Sequence, residues 1–166
     1  DIIQTQELEE RILFLDLSLR ADRNYILLVM RLTDFYSHQM GKTERDRQLF
    51  ELMLQTIISE LLYDEPDYIL FPSAVDELVI VLTKREDVDF NEHILDVAMR
   101  LSYGVEKRLN VCVRIGISQE FIGYPNMRKG YQSAVRALIE GYALRNNDVL
   151  VDQESCEPLY EQLEKQ

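Results

Sequence analysis

The sequence predicts an α/β (α+β) sandwich, in which helices flank a mixed β-sheet. Short apolar runs of strand length alternate with amphipathic helical stretches around one hairpin. The chain has 166 residues, which is enough for one domain with its own core. Its 46% hydrophobic and 29% charged residues are typical of a globular protein and exclude a disordered chain. No apolar run approaches the roughly 20 residues of a spanning helix, so we predict no transmembrane segment.

The N-terminal part is predicted to form a helix, a strand and a second helix. Gln6–Arg20 is predicted to be helical because apolar residues recur there at spacings of three and four, forming a stripe of Leu8, Ile12, Leu15 and Leu19. Asn24–Leu32 holds the continuous apolar run of a strand buried on both faces. Thr43 is predicted to begin a long helix, since Asp46 stands three residues later as its capping-box partner.

A hairpin and a further helix are predicted next. Tyr68–Phe71 and Leu78–Thr83 have the composition of strands, and Pro72–Glu77 is predicted to be the loop that joins them. Asp89 is predicted to cap another helix, because Glu92 follows three residues later.

The last part is predicted to contain a strand, a helix and a final strand. Val111–Ser118 alternates between apolar and other residues, and Gly116 within it indicates close packing by a helix. Pro125 opens a helix whose inward face holds Tyr131, and Val149–Val151 is the final strand. We expect an N-terminal linker and signalling helix over residues 1–22, the domain over residues 23–152, and an acidic C-terminal linker over residues 153–166 towards an absent domain.

Charge and titratable residues exclude several function classes. The net charge of −12 repels phosphate backbones and anionic lipids, so we expect no direct binding of nucleic acid or membrane. Cys112 and Cys156 have neither the number nor the spacing of a disulfide framework or a zinc site, which favours a reducing, cytoplasmic setting. His38 and His93 are expected at the surface, and Glu65 in a solvated helix end.

Three segments carry a resemblance to a known family. Residues 74–78 read Ala-Val-Asp-Glu-Leu at a predicted hairpin, and residues 114–118 read Arg-Ile-Gly-Ile-Ser at a predicted strand. Residues 131–149 form a predicted helix that ends in a turn before the last strand. In this order they resemble the Gly-Gly-Asp-Glu-Phe signature, the Ser-Ile-Gly-Ile-Ala strand and the final helix of the GGDEF domain, the fold of diguanylate cyclases. The resemblance covers roughly residues 25–151.

Residues 43–62 carry a narrower resemblance. This predicted helix is similar to the first long helix of degenerate GGDEF-like domains within AraC-type transcription regulators, including response regulators of the YesN kind. That resemblance implies a cytoplasmic middle domain. It implies an upstream receiver or sensor domain, a downstream DNA-binding domain in the same parent chain, and a homodimer.

The resemblance also implies where the residues of a cyclase site would lie, and several of them have changed. An active cyclase holds a triphosphate and metal ions, which need carboxylate ligands and close backbone approach. Arg31 and Thr33 stand where metal-binding aspartates are expected, and the signature glycines are replaced. The resulting vestigial cyclase site consists of Arg31, Thr33, Ala74, Val75, Asp76 and Glu77. We expect no catalytic residue, no metal and no cofactor. Arg31 is expected to pair instead with Asp76 or Glu77.

Three functions stay open at this point. The first is a non-catalytic regulatory and dimerisation domain that relays an upstream signal to DNA-binding helices. The second is a ligand-binding module that retains a nucleotide cleft without catalysis. The third, disfavoured by Arg31, is an active cyclase using Asp76 and Glu77. The leucine-rich stripe likewise has two interpretations, because it either packs on its own domain or pairs with a second subunit.

Overall fold

The structure, a computed structural model, describes residues 22–33, 43–143 and 149–152. Several sequence predictions lie outside these described residues, namely the N-terminal helix with its stripe, the position of His38 and the linker over residues 153–166. In the described part, no helix has the length and apolar character needed to cross a membrane.

The described elements confirm a mixed sheet with flanking helices. In chain order they are β1 (Asn24–Leu32), α1 (Glu44–Leu61), β2 (Tyr68–Ala74), β3 (Glu77–Thr83), α2 (Phe90–Leu109), β4 (Val113–Ile117), β5 (Phe121–Ile122), a 3₁₀ turn (Tyr124–Asn126), α3 (Met127–Glu140), β6 (Tyr142–Ala143) and β7 (Val149–Val151). The strand order is β2-β3-β1-β4-β7-β6, and β5 pairs with β1. The β4–β7 pair is parallel, and the other described pairs are antiparallel.

The central strand β1 shows why the sheet has helices on both sides. Its side chains alternate between two buried faces, as the continuous apolar run predicts. One face joins the core under α1 and α2 through Ile26, Leu28, Met30 and Leu32. The other joins a smaller core under α3 through Tyr25, Leu27 and Val29.

The helix starts occur where the sequence predicts them. The hydroxyl of Thr43 accepts a hydrogen bond from the Asp46 amide at 3.2 Å, and the Asp46 carboxylate accepts one from the Thr43 amide at 3.1 Å. This capping box satisfies two backbone donors at the start of α1. Asp89 caps α2 by accepting from the amide of Glu92. At the other end of α2, Asn110 adopts the left-handed conformation, with φ at 53°, that ends many helices.

The hairpin is tighter than the sequence predicts. The predicted loop over Pro72–Glu77 is wrong, because β2 continues to Ala74 and β3 begins at Glu77. Only Val75 and Asp76 remain in the turn. Pro72 is tolerated within a strand because β2 is an edge strand of the sheet and carries a bulge between Pro72 and Ala74.

Helix α3 packs tightly on the sheet at Gly116, which confirms the packing expected there. A Cβ atom on Gly116 would lie 2.2 Å from the carbonyl oxygen of Ala134 and 2.8 Å from Cγ of Leu138. The glycine therefore lets α3 lie directly on β4. This contact fixes the position of α3, whose first half reaches Glu77 at the start of β3.

Candidate functional site

The candidate site lies where the β2–β3 turn meets the end of β1. The Leu32 amide donates a hydrogen bond to the carbonyl oxygen of Asp76 at 2.9 Å, which ties the turn to β1. In the β1–β3 register, Arg31 is directly opposite Glu77. Because side chains alternate along a strand, both residues point to the sheet face covered by α3.

An ion pair between Arg31 and Glu77 is the centre of this site. The Nε atom of Arg31 lies 2.7 Å from Oε2 of Glu77. The Glu77 side chain is 7% exposed and the Arg31 side chain 37% exposed, so the carboxylate is buried and the guanidinium reaches solvent. Of the two carboxylates proposed as partners of Arg31, the structure selects Glu77. A carboxylate this buried needs such a partner.

Two hydroxyl groups donate the remaining hydrogen bonds to the Glu77 carboxylate. Ser73 and Tyr131 each donate a hydrogen bond to Oε1 of Glu77, both at 2.7 Å. Burial raises the pKa of the Tyr131 phenol above its usual range, and the hydrogen bond and charge of Glu77 add to this shift. The phenol therefore stays protonated and remains a donor. With three donors, the buried carboxylate is well satisfied.

Sequence reasoning missed Ser73 and Tyr131 as members of the site. Tyr131 is predicted to face inward on its helix, which is correct, but its hydroxyl partner is not part of that prediction. One signal was available, because a buried tyrosine hydroxyl needs a polar partner. Ser73 carries no comparable signal in the sequence.

The other predicted site residues are more peripheral. Thr33 is exposed and bonds the carbonyl oxygen of Cys112 through its amide at 2.9 Å and its hydroxyl at 3.3 Å. Val75 is 64% exposed at the tip of the turn. Ala74 is exposed and Asp76 is half-buried beside it. The structure thus joins Arg31 to Glu77 and directs Thr33 towards the start of β4.

The charges around Arg31 oppose binding of a cation at this position. On β4, Arg114 lies directly opposite Arg31 in register, so two positive side chains are neighbours on this face. Among the described residues, no group of three or more histidine, cysteine or carboxylate side chains is arranged to hold a metal ion.

A small cavity lies between the first turns of α1 and the hairpin. Its volume is about 120 Å³, well below the roughly 300–1,000 Å³ of typical ligand pockets. Phe50, Leu54, Pro72 and Val75 supply apolar walls. Its charged lining consists of Glu44, Arg47, Glu51 and Glu77, three acids against one base.

His93 and Glu65 correct two expectations. His93 was expected at the surface and Glu65 in a solvated helix end, yet the Glu65 side chain is only 1% exposed and that of His93 13%. Their Nε2 and Oε1 atoms are 2.5 Å apart. The contact arises because the segment after α1 packs against the first turn of α2, a proximity with no sequence signal.

Comparison with protein families places this arrangement in context. The family model described as "GGDEF-like domain" matches residues 3–138, which is most of the chain. The chain belongs to the GGDEF-like domain family. A search of curated proteins finds no match to this GGDEF-like domain.

Solved structures agree on the fold of the GGDEF-like domain. The active GGEEF domain of a diguanylate cyclase from Vibrio cholerae is 11% identical, with a TM-score of 0.62 over 80% of this chain and 85% of that one. An EAL/GGDEF domain protein from M. capsulatus is 15% identical, with a TM-score of 0.58 over 86% and 93%. The FimX GGDEF domain from Pseudomonas aeruginosa is 16% identical, with a TM-score of 0.56 over 84% and 90%. At these identities the similarity shows the fold alone.

The residues of this GGDEF-like domain do not fit the metal ions that a cyclase of this fold requires. Divalent cations of that kind need carboxylate oxygens around an open position. Here one oxygen of Glu77 contacts the Arg31 guanidinium and the other accepts two hydroxyl donors. To bind Glu77, a metal cation would have to displace the Arg31 guanidinium, which already pairs with this carboxylate.

Proposed function

We propose that this GGDEF-like domain is a non-catalytic regulatory domain of a bacterial AraC-type, YesN-like transcription regulator. In this proposal it relays an upstream signal to a DNA-binding domain of the parent chain. The observation that supports the absence of catalysis is the Arg31–Glu77 ion pair with its two hydroxyl donors. In this arrangement Glu77, the glutamate of the signature, has a structural role.

The electrostatics of the pair support this interpretation. Nucleotidyl transfer needs divalent cations to neutralise the triphosphate and the developing charge. The Arg31 side chain cancels the charge of Glu77, and Arg114 adds a second positive charge nearby. A metal ion could bind Glu77 only if Arg31 first left the buried carboxylate, and the free energy needed for that step would weaken metal binding.

The cavity beside the hairpin supports the same conclusion. Its volume of about 120 Å³ is too small for a nucleoside triphosphate. With Glu77 neutralised by Arg31, the remaining charged lining of Glu44, Glu51 and Arg47 has a net negative charge, which repels phosphates. The exposed side chain of Val75 also stands at the turn where phosphate would need close backbone approach. For these reasons neither a retained nucleotide cleft nor an active cyclase is our preferred function.

The regulatory role rests on the resemblance of residues 43–62 and on the predicted N-terminal helix. We propose that this domain acts in the cytoplasm as a homodimer, with Leu8, Ile12, Leu15 and Leu19 carrying the signal from an upstream receiver or sensor domain. DNA contact belongs to the downstream domain, since a net charge of −12 opposes direct contact with nucleic acid or anionic membrane by this part.

The absence of catalysis is tested by incubating the chain with GTP and either Mg²⁺ or Mn²⁺. We expect neither pyrophosphate nor a cyclic dinucleotide above background by mass spectrometry, for the wild type and for Glu77→Ala alike. Pyrophosphate release by the wild type that disappears in Glu77→Ala would contradict the proposal, because it would make Glu77 a catalytic residue.

The relay is tested through the stripe. Substituting Leu15→Glu together with Leu19→Glu should convert a dimer into monomers in sedimentation velocity, since buried glutamates would disrupt the helix pair. An unchanged mass would contradict pairing through the first helix. The reading frame beyond Gln166 supplies a second test, because two helix-turn-helix units are expected there.

A further inference from the structure

The outer side of α1 exposes a row of large apolar residues. Leu49, Leu52 and Met53 are 49%, 62% and 52% exposed, whereas Leu54 and Ile58 on the inner side are buried in the core. At about 100° per residue, the three exposed side chains lie on one face of the helix. Exposed apolar residues that cluster on one face mark a candidate contact surface.

Polar residues extend the same face towards both ends of α1. Arg45, Thr56 and Glu60 are exposed and lie within the same angular sector. We call Arg45, Leu49, Leu52, Met53, Thr56 and Glu60 the α1 row. Glu60 is bonded by Arg108 at its Oε2 atom, at 2.7 Å, which leaves the carboxylate able to accept further donors at its second oxygen.

The α1 row is complementary to itself. Its midpoint lies between Leu52 and Met53, and its two charged ends, Arg45 and Glu60, are equally distant from that midpoint and opposite in sign. A two-fold axis through the midpoint would place Arg45 opposite Glu60 of a second copy, Leu49 opposite Thr56, and Leu52 opposite Met53. No like charges of the row would then face each other.

We propose that the α1 row is the surface on which a second copy of this chain docks, with the two α1 helices antiparallel. The symmetry of the row supports this occupant, because a two-fold interface uses the same patch on both subunits. Opposite charges at its ends set the antiparallel direction. Exposed leucine and methionine side chains at the centre supply the apolar contact.

This inference rests on the proposed dimeric function and adds a second contact to it. Three exposed apolar side chains form a contact smaller than the roughly 1,200–2,000 Å² of a stable interface. We therefore propose that the α1 row supplements the pairing of the N-terminal helices. That helix pair is only marginally stable by itself, because its leucine-rich stripe is short. Together the two contacts hold the copies in one arrangement.

Disulfide trapping tests the proposed register in the full chain. Cys112 and Cys156 are first replaced by serine, and Leu49→Cys and Thr56→Cys are then made in separate chains. Both positions are exposed, so the fold tolerates the changes. In the antiparallel register these positions face each other, within the roughly 4.4–6.8 Å between Cα atoms that a disulfide needs. Mixed under mild oxidation, the two chains should form the cross-linked heterodimer faster than either chain crosslinks with itself.

Crosslinking of Leu49→Cys chains with one another, at least as fast as in the mixture, would overturn the antiparallel register, since those positions would be about 10 Å apart along the axis. If the chain sediments as a dimer but the mixed crosslink does not form, the α1 row is not the dimer interface, whereas the proposed dimer itself is retained. A chain that is monomeric at all concentrations would overturn this inference and the proposed dimer together, and the GTP assay would remain a separate test of catalysis.

A matched pair of surface variants gives a second measurement. Leu52→Glu should raise the dimer dissociation constant by about tenfold or more, because it places a carboxylate in an apolar contact. Ile139→Glu is the control, since Ile139 is 74% exposed on α3 and outside the row. Equal effects of the two variants would overturn the assignment of the surface.

Discussion

The two faces of the sheet differ in what fills them. Under α1 and α2 the larger core is apolar along the whole length of β1 and β3. Under α3 the core is apolar in the middle but ends at the hairpin in a polar cluster of Arg31, Ser73, Glu77 and Tyr131. Both faces belong to the same strands. The difference is set next to the hairpin by one residue of each strand, namely Arg31 on β1, Ser73 on β2 and Glu77 on β3, together with Tyr131 on α3.

This difference separates the contacts that stabilise the fold from the contacts that build the candidate site. Apolar burial is worth roughly 25 cal/mol per Å² and dominates the first face. A buried ion pair contributes little net stability, although removing one partner is costly. The polar cluster therefore fixes the turn and the state of Glu77 more than it stabilises the domain.

The largest expected effect is on the apolar face. Leu28→Ala should lower the free energy of unfolding by about 2–5 kcal/mol, because Leu28 is fully buried and its truncation leaves a cavity. Urea denaturation measures the change. Ile139→Ala is the control, since Ile139 is 74% exposed on α3 and lies outside the α1 row, so it should change stability by less than about 0.5 kcal/mol. Similar losses for the two variants would contradict the assignment of the core.

A smaller effect is expected in the polar cluster. Arg31→Ala should lower the free energy of unfolding by about 1–2 kcal/mol, because it leaves the buried Glu77 carboxylate without its charge partner while Ser73 and Tyr131 still donate to it. Asp76→Asn is the control and should stay within about 0.5 kcal/mol, since its side chain is only half-buried in the turn. An Arg31→Ala loss no larger than that of Asp76→Asn would show that the ion pair has no structural role.

The smallest effect is expected for Tyr131→Phe, at about 0.5–1.5 kcal/mol near neutral pH, from loss of one hydrogen bond to Glu77. The pKa of Tyr131 is raised in the folded state from its ordinary value of 10.0, so its contribution is complete below pH 10. Above that pH the unfolded phenol ionises first, and the advantage of wild type over Tyr131→Phe should shrink. Urea denaturation between about pH 7 and pH 11 measures this, and a constant or growing advantage would contradict the raised pKa.

The sequence predicts the elements of this molecule better than its site. A continuous apolar run and capping residues are local signals, and they correctly place β1 and the starts of α1 and α2 at Thr43 and Asp89. The short strands β5 and β6 are missed, because two residues carry no periodicity. The hairpin loop is predicted too long, because Pro72 suggests a break where an edge strand accommodates it.

The site depends on contacts between distant parts of the chain. Arg31 and Glu77 stand out by resemblance, but their pairing follows from the β1–β3 register, which no local pattern specifies. Tyr131 reaches Glu77 because Gly116 allows α3 to lie close to the sheet. Such coincidences of three elements become visible only in the folded chain.

The most direct test of the central claim is binding, since binding of metal and nucleotide must precede any cyclase chemistry. The melting temperature of the wild-type chain is measured with increasing GTP in the presence of Mn²⁺, because a ligand that binds the native state raises it by mass action. We expect no shift, since the Arg31 guanidinium already pairs with the Glu77 carboxylate. A melting temperature that rises to a plateau with GTP in the wild type, but not in Glu77→Gln, would contradict this expectation.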